Sequence, residues 1–224
     1  SNKSIDMPEI LNETEARIVG SLVEKQLTTP EYYPLTLNAL VNACNQKSNR
    51  DPVVNYDEST VTAVLERLRD RNIVYVYYGS TSRVPKYKHM LPSIYELEPD
   101  ELAVICVMLL RGPQTLGELR TRTERLFNFA GLGEIQETLD RLARRDDPLV
   151  AKLPVQPGQK EARFAHLLSG DVDVEALAAA HAARSSRGGV ESERIEKLEE
   201  EVAALRAEVD AIQQTFEEFR RQFE

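Results

Sequence analysis

The chain has 224 residues, of which 42% are hydrophobic and 29% are charged, and its formal net charge at pH 7 is −9. This composition supplies enough apolar side chains for one or two globular cores and excludes a chain that is disordered throughout. The longest apolar run, residues 102–110, is much shorter than the ~20 residues of a transmembrane helix, so we expect a cytoplasmic protein that does not enter a membrane.

The acidic charge is concentrated at the C-terminal end of the chain. Residues 1–92 carry 11 basic and 11 acidic side chains, whereas residues 169–224 carry 7 basic and 14 acidic ones. The first part of the chain is therefore neutral and free to present a basic face to a nucleic acid.

Three helices are predicted in the first 71 residues. Asn12 followed by Glu15 has the spacing of a capping box and predicts the first helix start. A second helix follows Pro30 and Pro34, and either Asn55 or Asp57 can cap a third. The apolar stripes of the three helices, at helical spacing, are Ile18, Val19, Leu22 and Val23; Leu37, Leu40, Val41 and Cys44; and Val61, Val64, Leu65 and Leu68.

The period of the apolar residues changes after the third helix. Residues 73–78 are β-branched and aromatic, residues 79–82 are typical of a turn, and residues 83–89 can return as a paired strand. Three helices followed by a hairpin predict a winged-helix domain.

The same order of signals then recurs, which indicates an internal repeat. TLNAL at 36–40 matches TLGEL at 115–119, and LERLRDR at 65–71 matches LDRLARR at 139–145. In the second copy, residues 102–110 are the apolar first helix, Thr115 and Glu118 form a capping box, and residues 149–153 and 162–166 are strand candidates joined by a turn at Pro157 and Gly158. The alternative is one continuous helical domain with a chance similarity.

A heptad pattern occupies the end of the chain, after a segment rich in small residues. The pattern predicts a parallel two-stranded coiled coil that makes the protein a dimer; the alternative is an amphipathic helix folded against its own chain. The residues expected in the seam are Ile195, Leu198, Val202, Leu205, Val209, Ile212, Phe216, Phe219 and Phe223.

These signals predict a mainly α fold with small β-hairpins, of the α+β class, in which two tandem winged-helix domains precede a C-terminal coiled-coil helix. The predicted segments are an N-terminal tail (1–11), two winged-helix domains (12–92 and 93–170), a linker (171–190) and the coiled-coil helix (191–224).

In a winged helix the third helix enters the major groove and the hairpin contacts the DNA backbone or the minor groove. The first copy has suitable donors, although Asp57, Glu58, Glu66 and Asp70 lie on or beside the same helix and repel phosphate. A solvated helix face of mixed charge is the alternative. The residues expected to contact DNA are Thr60, Thr62, Arg67, Arg69 and Arg71 on the helix, Arg83 and Lys86 on the wing, and Lys47 and Arg50 in the polar turn at 45–52.

Two further groups of polar residues have two interpretations each. The turn at 45–52 either grips a phosphate or a polar ligand, or is held by its own Asn, Ser and Asp side chains. Arg120, Arg122 and Arg125 in the second copy either touch phosphate or pair with nearby carboxylates. The third helix of that copy exposes Glu134, Glu137 and Asp140, so we expect it to pack rather than to bind DNA.

The sequence gives little support for catalysis. Cys44 and Cys106 form no CxxC pair, and His89, His166 and His181 lack the spacing of metal ligands or of a nucleophile motif. We therefore expect no enzyme activity, metal or cofactor, and reduced cysteines.

Several strings together resemble the YceH-type family of uncharacterised bacterial proteins. They are EKQ at 24–26, TTP at 28–30, YPL at 33–35, ACNQKSNRDP at 43–52, LLRGPQ at 109–114, GELR at 117–120 and HLLSGDV at 166–172. The resemblance extends from Leu11 to the coiled coil and implies a tandem winged-helix fold in a bacterial cytoplasm. It implies no particular activity.

The leading hypothesis is a dimeric protein that binds double-stranded DNA, and specifically a transcriptional regulator. The main rival is a non-catalytic adaptor that binds another protein, as tandem winged-helix proteins of chromosome organisation do. A small-molecule sensor or enzyme centred on the turn at 45–50 is a third hypothesis.

Overall fold

A computed structural model describes residues 10–78, 84–155 and 159–172. The described residues are α+β, with seven α-helices and two small antiparallel sheets. In the first half of the chain the elements are α1 (Glu13–Thr28), β1 (Leu35–Thr36), α2 (Leu37–Cys44), α3 (Glu58–Asp70), β2 (Val74–Tyr78), β3 (Pro85–His89) and α4 (Leu91–Tyr95). In the second half they are α5 (Pro99–Arg111), α6 (Leu116–Thr123), α7 (Leu132–Ala143), β4 (Val150–Lys152) and β5 (Phe164–His166).

The helix starts follow the predicted capping signals. The Asn12 side chain accepts a hydrogen bond from the Glu15 N–H at 2.9 Å, and the Glu15 carboxylate accepts from the Asn12 N–H at 3.0 Å. Asp57, rather than Asn55, caps α3, and Thr115 with Glu118 forms the capping box of α6. These contacts satisfy donors that the first turn of a helix leaves without intrahelical partners.

The predicted hairpin of the first half is confirmed and gains a third strand. β2 and β3 pair antiparallel, with Tyr75 opposite Lys88 and Tyr77 opposite Lys86. The two-residue strand β1, which the sequence did not predict, pairs with β3 and gives the order β1-β3-β2. β1 lies immediately before α2, so the sheet and the helices share one hydrophobic core.

The order of elements recurs in the second half of the chain. Helices α5, α6 and α7 are followed by β4 and β5, which pair antiparallel with Val150 opposite His166. Gln114, just before the Thr115 cap, bridges to Phe164 in the way that Leu35, just before the Thr36 cap, pairs with Tyr87. The repeat therefore extends to the short bridge that precedes the second helix of each copy.

The first helices of the two copies pack closely against each other. A Cβ atom at Gly20 of α1 would lie 3.0 Å from side-chain atoms of Leu109 and Leu110 of α5, and the Cys106 Sγ lies 3.6 Å from the Gly20 carbonyl oxygen. A Cβ at this distance would be closer than nine in ten real Cβ contacts, so a side chain at position 20 would push the neighbouring leucines away by a few tenths of an ångström. The predicted boundary at residue 92 thus separates two copies of the sequence repeat. The buried residues of both copies belong to one hydrophobic core.

Helix α4 was not predicted and connects the two copies. It has a proline in its first turn and ends at Glu96, whose φ of 50° lies in the left-handed region. The short hydrophobic stretch of α4 buries Leu91 fully. None of the described helices is long and apolar enough to cross a membrane.

Several predicted segments lie outside the described residues. They include the two hairpin turns at 79–82 and at Pro157 and Gly158, most of the linker at 171–190, and the whole coiled-coil helix with its seam from Ile195 to Phe223. The dimer that the heptad pattern predicts therefore stays a prediction.

Candidate nucleic-acid interface

Helix α3 buries one face and exposes the other, as its spacing predicted. Val61, Val64, Leu65 and Leu68 are buried, while Thr60, Glu66, Arg67, Arg69 and Asp70 are exposed. The exposed face thus carries cations in its C-terminal half and acidic groups at both ends.

The N-terminal end of α3 is negatively charged. Asp57 accepts hydrogen bonds from the Thr60 N–H at 2.7 Å and from the Ser59 hydroxyl at 2.9 Å. Hydrogen bonds from Thr60 and then Ser59 lower the pKa of Asp57, so this carboxylate stays ionised. Glu58 begins the helix beside it, and we conclude that phosphate is repelled from this end.

The two threonines expected at the DNA surface make local contacts. Thr60 is exposed, and its backbone N–H belongs to the cap. The Thr62 hydroxyl donates to the Glu58 carbonyl oxygen at 2.8 Å, one helical turn earlier, and the residue is half-buried. Thr60 is therefore the better placed of the two for contact with a partner.

The three arginines of α3 and its C-cap differ in their ion pairs with other residues and in the exposure of their side chains. The Arg71 Nη1 lies 3.0 Å from the Glu15 carboxylate, and its side chain is only 17% exposed. The Arg67 Nε lies 3.5 Å from the same carboxylate, but its side chain is 53% exposed. Arg69 is exposed and forms no ion pair or side-chain hydrogen bond with any other residue of the described segments. Arg69 is thus the cation of this helix most available to an external phosphate.

The hairpin lies next to this helix at Arg69. Burial raises the pKa of Tyr87 on β3. The negative charge of Glu66 also raises this pKa, whereas the positive charge of Arg69 lowers it. Both charged residues are on α3, so Tyr87 lies close to the C-terminal half of that helix. Helix α3 therefore lies beside the hairpin at β3.

The outward face of the hairpin carries two tyrosines and two lysines, which we call the Tyr-Lys face: Tyr75, Tyr77, Lys86 and Lys88. The antiparallel register places Tyr75 opposite Lys88 and Tyr77 opposite Lys86. Directly opposite residues point to the same side of a sheet. Tyr75 and Tyr77 are 56% and 46% exposed, and the Lys88 Nζ lies 5.4 Å from the centre of the Tyr75 ring. The two lysines were candidate donors of the predicted wing, whereas the two tyrosines were missed, although the alternation of residues 74–78 was a signal for them. The other wing residue that was expected there, Arg83, lies outside the described residues.

The polar turn at 45–52 corrects one prediction. Lys47 is exposed, as expected of a residue that contacts DNA, but Arg50 is only 5% exposed. The Arg50 guanidinium donates to both oxygens of Glu24, at 3.1 and 2.6 Å, and to the Ala43 carbonyl oxygen. A cation enclosed in this way stabilises the turn and is not free to meet a phosphate, so Arg50 is removed from the set of DNA contacts.

The second copy uses its arginines internally. Arg141 of α7 pairs with Asp100 and Glu101 of α5, and Arg145 lies 2.7 Å from Glu101. Arg122 pairs with Glu118, which also holds Arg163 at 2.7 Å. For Arg122 the interpretation as a partner of nearby carboxylates is confirmed. Arg120 and Arg125 are exposed and form no ion pair with other described residues.

Of the histidines in the described segments, His89 is buried and His166 is half-buried, and both are neutral. Burial, with a smaller contribution from Lys88, lowers the pKa of His89 to about 4, and burial alone lowers the pKa of His166 to about 4. His89 lies beside Tyr33, whose hydroxyl accepts from the His89 N–H at 2.8 Å. Cys44 and Cys106 are free and buried, and burial raises the pKa of both thiols. The described residues contain no group of three acidic, His or Cys side chains suited to a metal ion.

Comparison with known sequences places the chain in a family. The model of a family described as "Protein of unknown function, DUF480" matches residues 11–159. The chain belongs to this family. Similar curated proteins include the UPF0502 protein of Pelobacter propionicus, 50% identical over 222 residues, and that of Geobacter sulfurreducens, 51% identical over 220 residues; each alignment covers 97% of this chain and all of the relative. The UPF0502 protein of Citrifermentans bemidjiense is 54% identical over 197 residues, which cover 88% of this chain and 90% of the relative.

These comparisons confirm the resemblance to an uncharacterised bacterial family. The DUF480 match begins at Leu11, the residue that precedes the α1 cap, and includes α1 to β4. The printed names of the relatives assign no activity or partner to the family, so its function must be argued from the geometry of this chain.

Proposed function

We propose that this member of the DUF480 family is a non-enzymatic, cytoplasmic protein with two tandem winged-helix units, the first of which binds double-stranded DNA through α3 and the hairpin. The arrangement of three helices and a hairpin supports the winged-helix interpretation for each copy. The heptad pattern of residues 195–223 supports dimerisation through a coiled coil, and two first units on one dimer suit a two-fold symmetric site of a transcriptional regulator.

The observation that carries the proposal is the unused positive charge on α3 and the neighbouring hairpin. Arg69 has no partner among the described residues, Arg67 is half exposed, and Lys86 lies on the adjoining hairpin. An exposed cation without an internal partner can exchange its counterions for a phosphate at little cost to the fold. We therefore expect contacts with the DNA backbone to dominate binding.

The acidic residues of α3 limit the strength of this binding. Asp57 and Glu58 lie at its N-terminal end, where a recognition helix contacts base edges. Glu66 and Asp70 flank the cations. We expect binding at low salt that weakens steeply as salt rises, and a surface on which Arg69, Arg67, Lys86 and Lys47 supply the phosphate contacts.

The test is a fluorescence-anisotropy titration of the full chain with duplex DNA at several salt concentrations. The double variant Arg69→Gln/Lys86→Gln removes two charges from the proposed surface. The matched control, Arg120→Gln/Arg144→Gln, removes two exposed arginine charges from the second copy. If both residues contact phosphates, the slope of log K against log salt becomes shallower by about 1.8 in the first variant and is unchanged in the control. Equal affinities and slopes in the two variants would refute the assignment.

The Tyr-Lys face favours a second candidate function, an adaptor that binds another protein. Exposed tyrosines are enriched at protein interfaces, because a ring buries much area at little entropic cost. Tyr75 and Tyr77 present two such rings on one side of a rigid hairpin. The double variant Tyr75→Ser/Tyr77→Ser distinguishes the functions: loss of a co-purifying protein with unchanged DNA affinity would support the adaptor, and loss of DNA affinity would support the wing of a DNA-binding domain.

A further inference from the structure

A cleft between the two sequence copies brings together two groups of residues that are far apart in the chain. Its walls come from α1, the turn at 45–52, α5 and the end of α6, and its volume up to the open mouth is about 280 Å³. Most of this volume is open to solvent, so the cleft is a shallow surface site whose enclosed part suits a single small group. The polar lining consists of Glu24, Asn49, Arg111, Arg122 and Arg125.

The charges of this cleft do not balance. Among the described residues that line the cleft, Glu24 is the one carboxylate, and Arg50 already holds it at 2.6 Å. Arg122 is engaged by Glu118, whereas Arg111 and Arg125 form no ion pair within 4 Å in the described part of the chain. The cleft therefore has an excess of positive charge.

The Arg111 guanidinium is partly buried, yet it has few hydrogen-bond acceptors and no ion-pair partner within 4 Å among the described residues. Burial, and then the charge of Arg122, lowers its pKa, while Asp51 and Glu118 act in the opposite direction. Its Nη1 donates to the Asn49 side-chain oxygen at 3.3 Å, but its buried Nε has no hydrogen-bond partner among the described residues. Buried donors are rarely left in this state, and an oxyanion is the acceptor that a guanidinium fits best.

The surrounding contacts hold the walls of the cleft in place. The Asp51 N–H donates to the Leu110 carbonyl oxygen at 3.0 Å, which fixes the turn to the end of α5. Asn49 has a φ of 58°, and Arg50 donates to its carbonyl oxygen at 3.0 Å. On the other wall, Arg122 donates to the Gln114 side chain. Because these groups are already ordered, little conformational entropy remains to be lost on binding.

We propose that this cleft is an oxyanion site that binds the phosphate group of a small ligand through Arg111 and Arg125, with Arg122 beside them. Arg125 is exposed at the mouth and free to close over the anion. None of the lining residues belongs to α3 or to the hairpin, so the site does not depend on the proposed DNA surface. The three arginines proposed to bind the anion belong to the second copy, whereas Glu24 and Asn49 line the wall formed by the first copy.

The site is tested by isothermal titration calorimetry of the full chain with inorganic phosphate in chloride buffer of constant ionic strength. The variant Arg125→Gln changes an exposed side chain and should fold normally. The matched control is Arg120→Gln, which removes an exposed arginine that lies five residues earlier, on α6, and does not line the cleft. We expect Arg125→Gln to weaken phosphate binding about tenfold and Arg120→Gln to leave it unchanged. Arg111→Gln should act in the same direction, with its circular dichroism spectrum as a check on folding.

Absence of phosphate binding, or equal affinity in the two single variants Arg125→Gln and Arg120→Gln, would overturn the proposal. The source of the phosphate is decided by competition. Displacement of phosphate by glycerol phosphate but not by duplex DNA would assign the site to a small phosphomonoester. Displacement by duplex DNA would assign it to a backbone phosphate, and either result would support an oxyanion site. A rise in thermal stability that sulfate and phosphate produce equally in wild type and Arg125→Gln would reflect general salt exclusion and would count against a site.

Discussion

Replacement of Arg50 by methionine should destabilise the protein severely, although the sequence suggested a surface role for this residue. The guanidinium donates to four acceptor groups: the Glu24 carboxylate, the carbonyl oxygens of Ala43 and Asn49, and the Gln46 side chain. Arg50→Met leaves the Glu24 carboxylate buried beside an apolar group. Breaking one side of a buried ion pair costs about 3–5 kcal/mol, because the remaining charge is uncompensated.

The free energy of unfolding is measured by urea titration with far-ultraviolet circular dichroism. A loss of about 4 kcal/mol corresponds to a fall in Tm of roughly 10 °C for a chain of this size. Lys47→Met is the matched control, since Lys47 is exposed in the same turn and its replacement should cost less than about 0.5 kcal/mol. The double variant Glu24→Leu/Arg50→Met should recover part of the loss, because it removes the orphaned charge as well.

A different outcome would refute this reasoning. If Arg50→Met lowered the unfolding free energy by less than about 1 kcal/mol and selectively weakened DNA binding, Arg50 would be a surface contact and the buried ion pair would carry little of the stability. Equal effects of Arg50→Met and Lys47→Met would lead to the same conclusion.

Three further predictions concern the stability of the fold. Gly20→Val should lower the unfolding free energy by about 2 kcal/mol in urea titrations, because its side chain would collide with Leu109 and Leu110, which lie 3.0 Å from the position of a Cβ; Gly117→Val, at a helical glycine with open space around it, is the control. Asn12→Ala should cost about 1 kcal/mol by the same measurement, since it removes the acceptor of the α1 capping box, and Asn12→Ser should retain most of the stability. Because the folded-state pKa of His89 is lowered to about 4, the unfolded state binds the proton first, and stability should be lost as pH falls from about 6.5 to 4, by up to about 3 kcal/mol; His89→Gln should make the dependence of unfolding free energy on pH shallower in that window, and an unchanged slope would contradict the assignment.

The secondary structure could be predicted well where local chemistry determines it. The capping boxes at Asn12 and Thr115 and the apolar spacing of α3 depend on residues three or four positions apart, and all three predictions are confirmed. Strand β1 and helix α4 were missed, because two or five residues carry no usable period. Their conformations depend on contacts with distant segments, such as the pairing of Leu35 with Tyr87.

The binding surface was harder to predict, because a sequence does not show which charges are already neutralised. Arg50 and Lys47 occupy the same polar turn and looked equivalent, yet one is enclosed by Glu24 and the other faces solvent. The cleft at Arg111 was missed for a similar reason. Asn49, Arg111 and Arg125 come together only when α1 packs against α5, and no local pattern encodes that contact.

The internal repeat explains why the third helix carries an unpaired arginine in only one copy. LERLRDR at 65–71 aligns with LDRLARR at 139–145, so Arg67 corresponds to Arg141 and Arg71 to Arg145. In the first copy both arginines contact Glu15, the third residue of α1, and in the second copy both contact Glu101, the third residue of α5.

Each glutamate also accepts the backbone N–H of its own helix cap, at 3.0 Å from Asn12 and 3.1 Å from Glu98. One carboxylate per copy thus caps the first helix and holds the end of the third, a structural role that accounts for four arginines without any ligand. Arg69 is the exception, because it aligns with Ala143 and has no such partner. The fold of the first copy does not use the Arg69 charge, and the second copy has no equivalent of it, so this charge is the one left available to an external partner. Under the proposed DNA-binding function, we therefore expect substitution of Arg69, rather than of Arg67 or Arg71, to be the most informative.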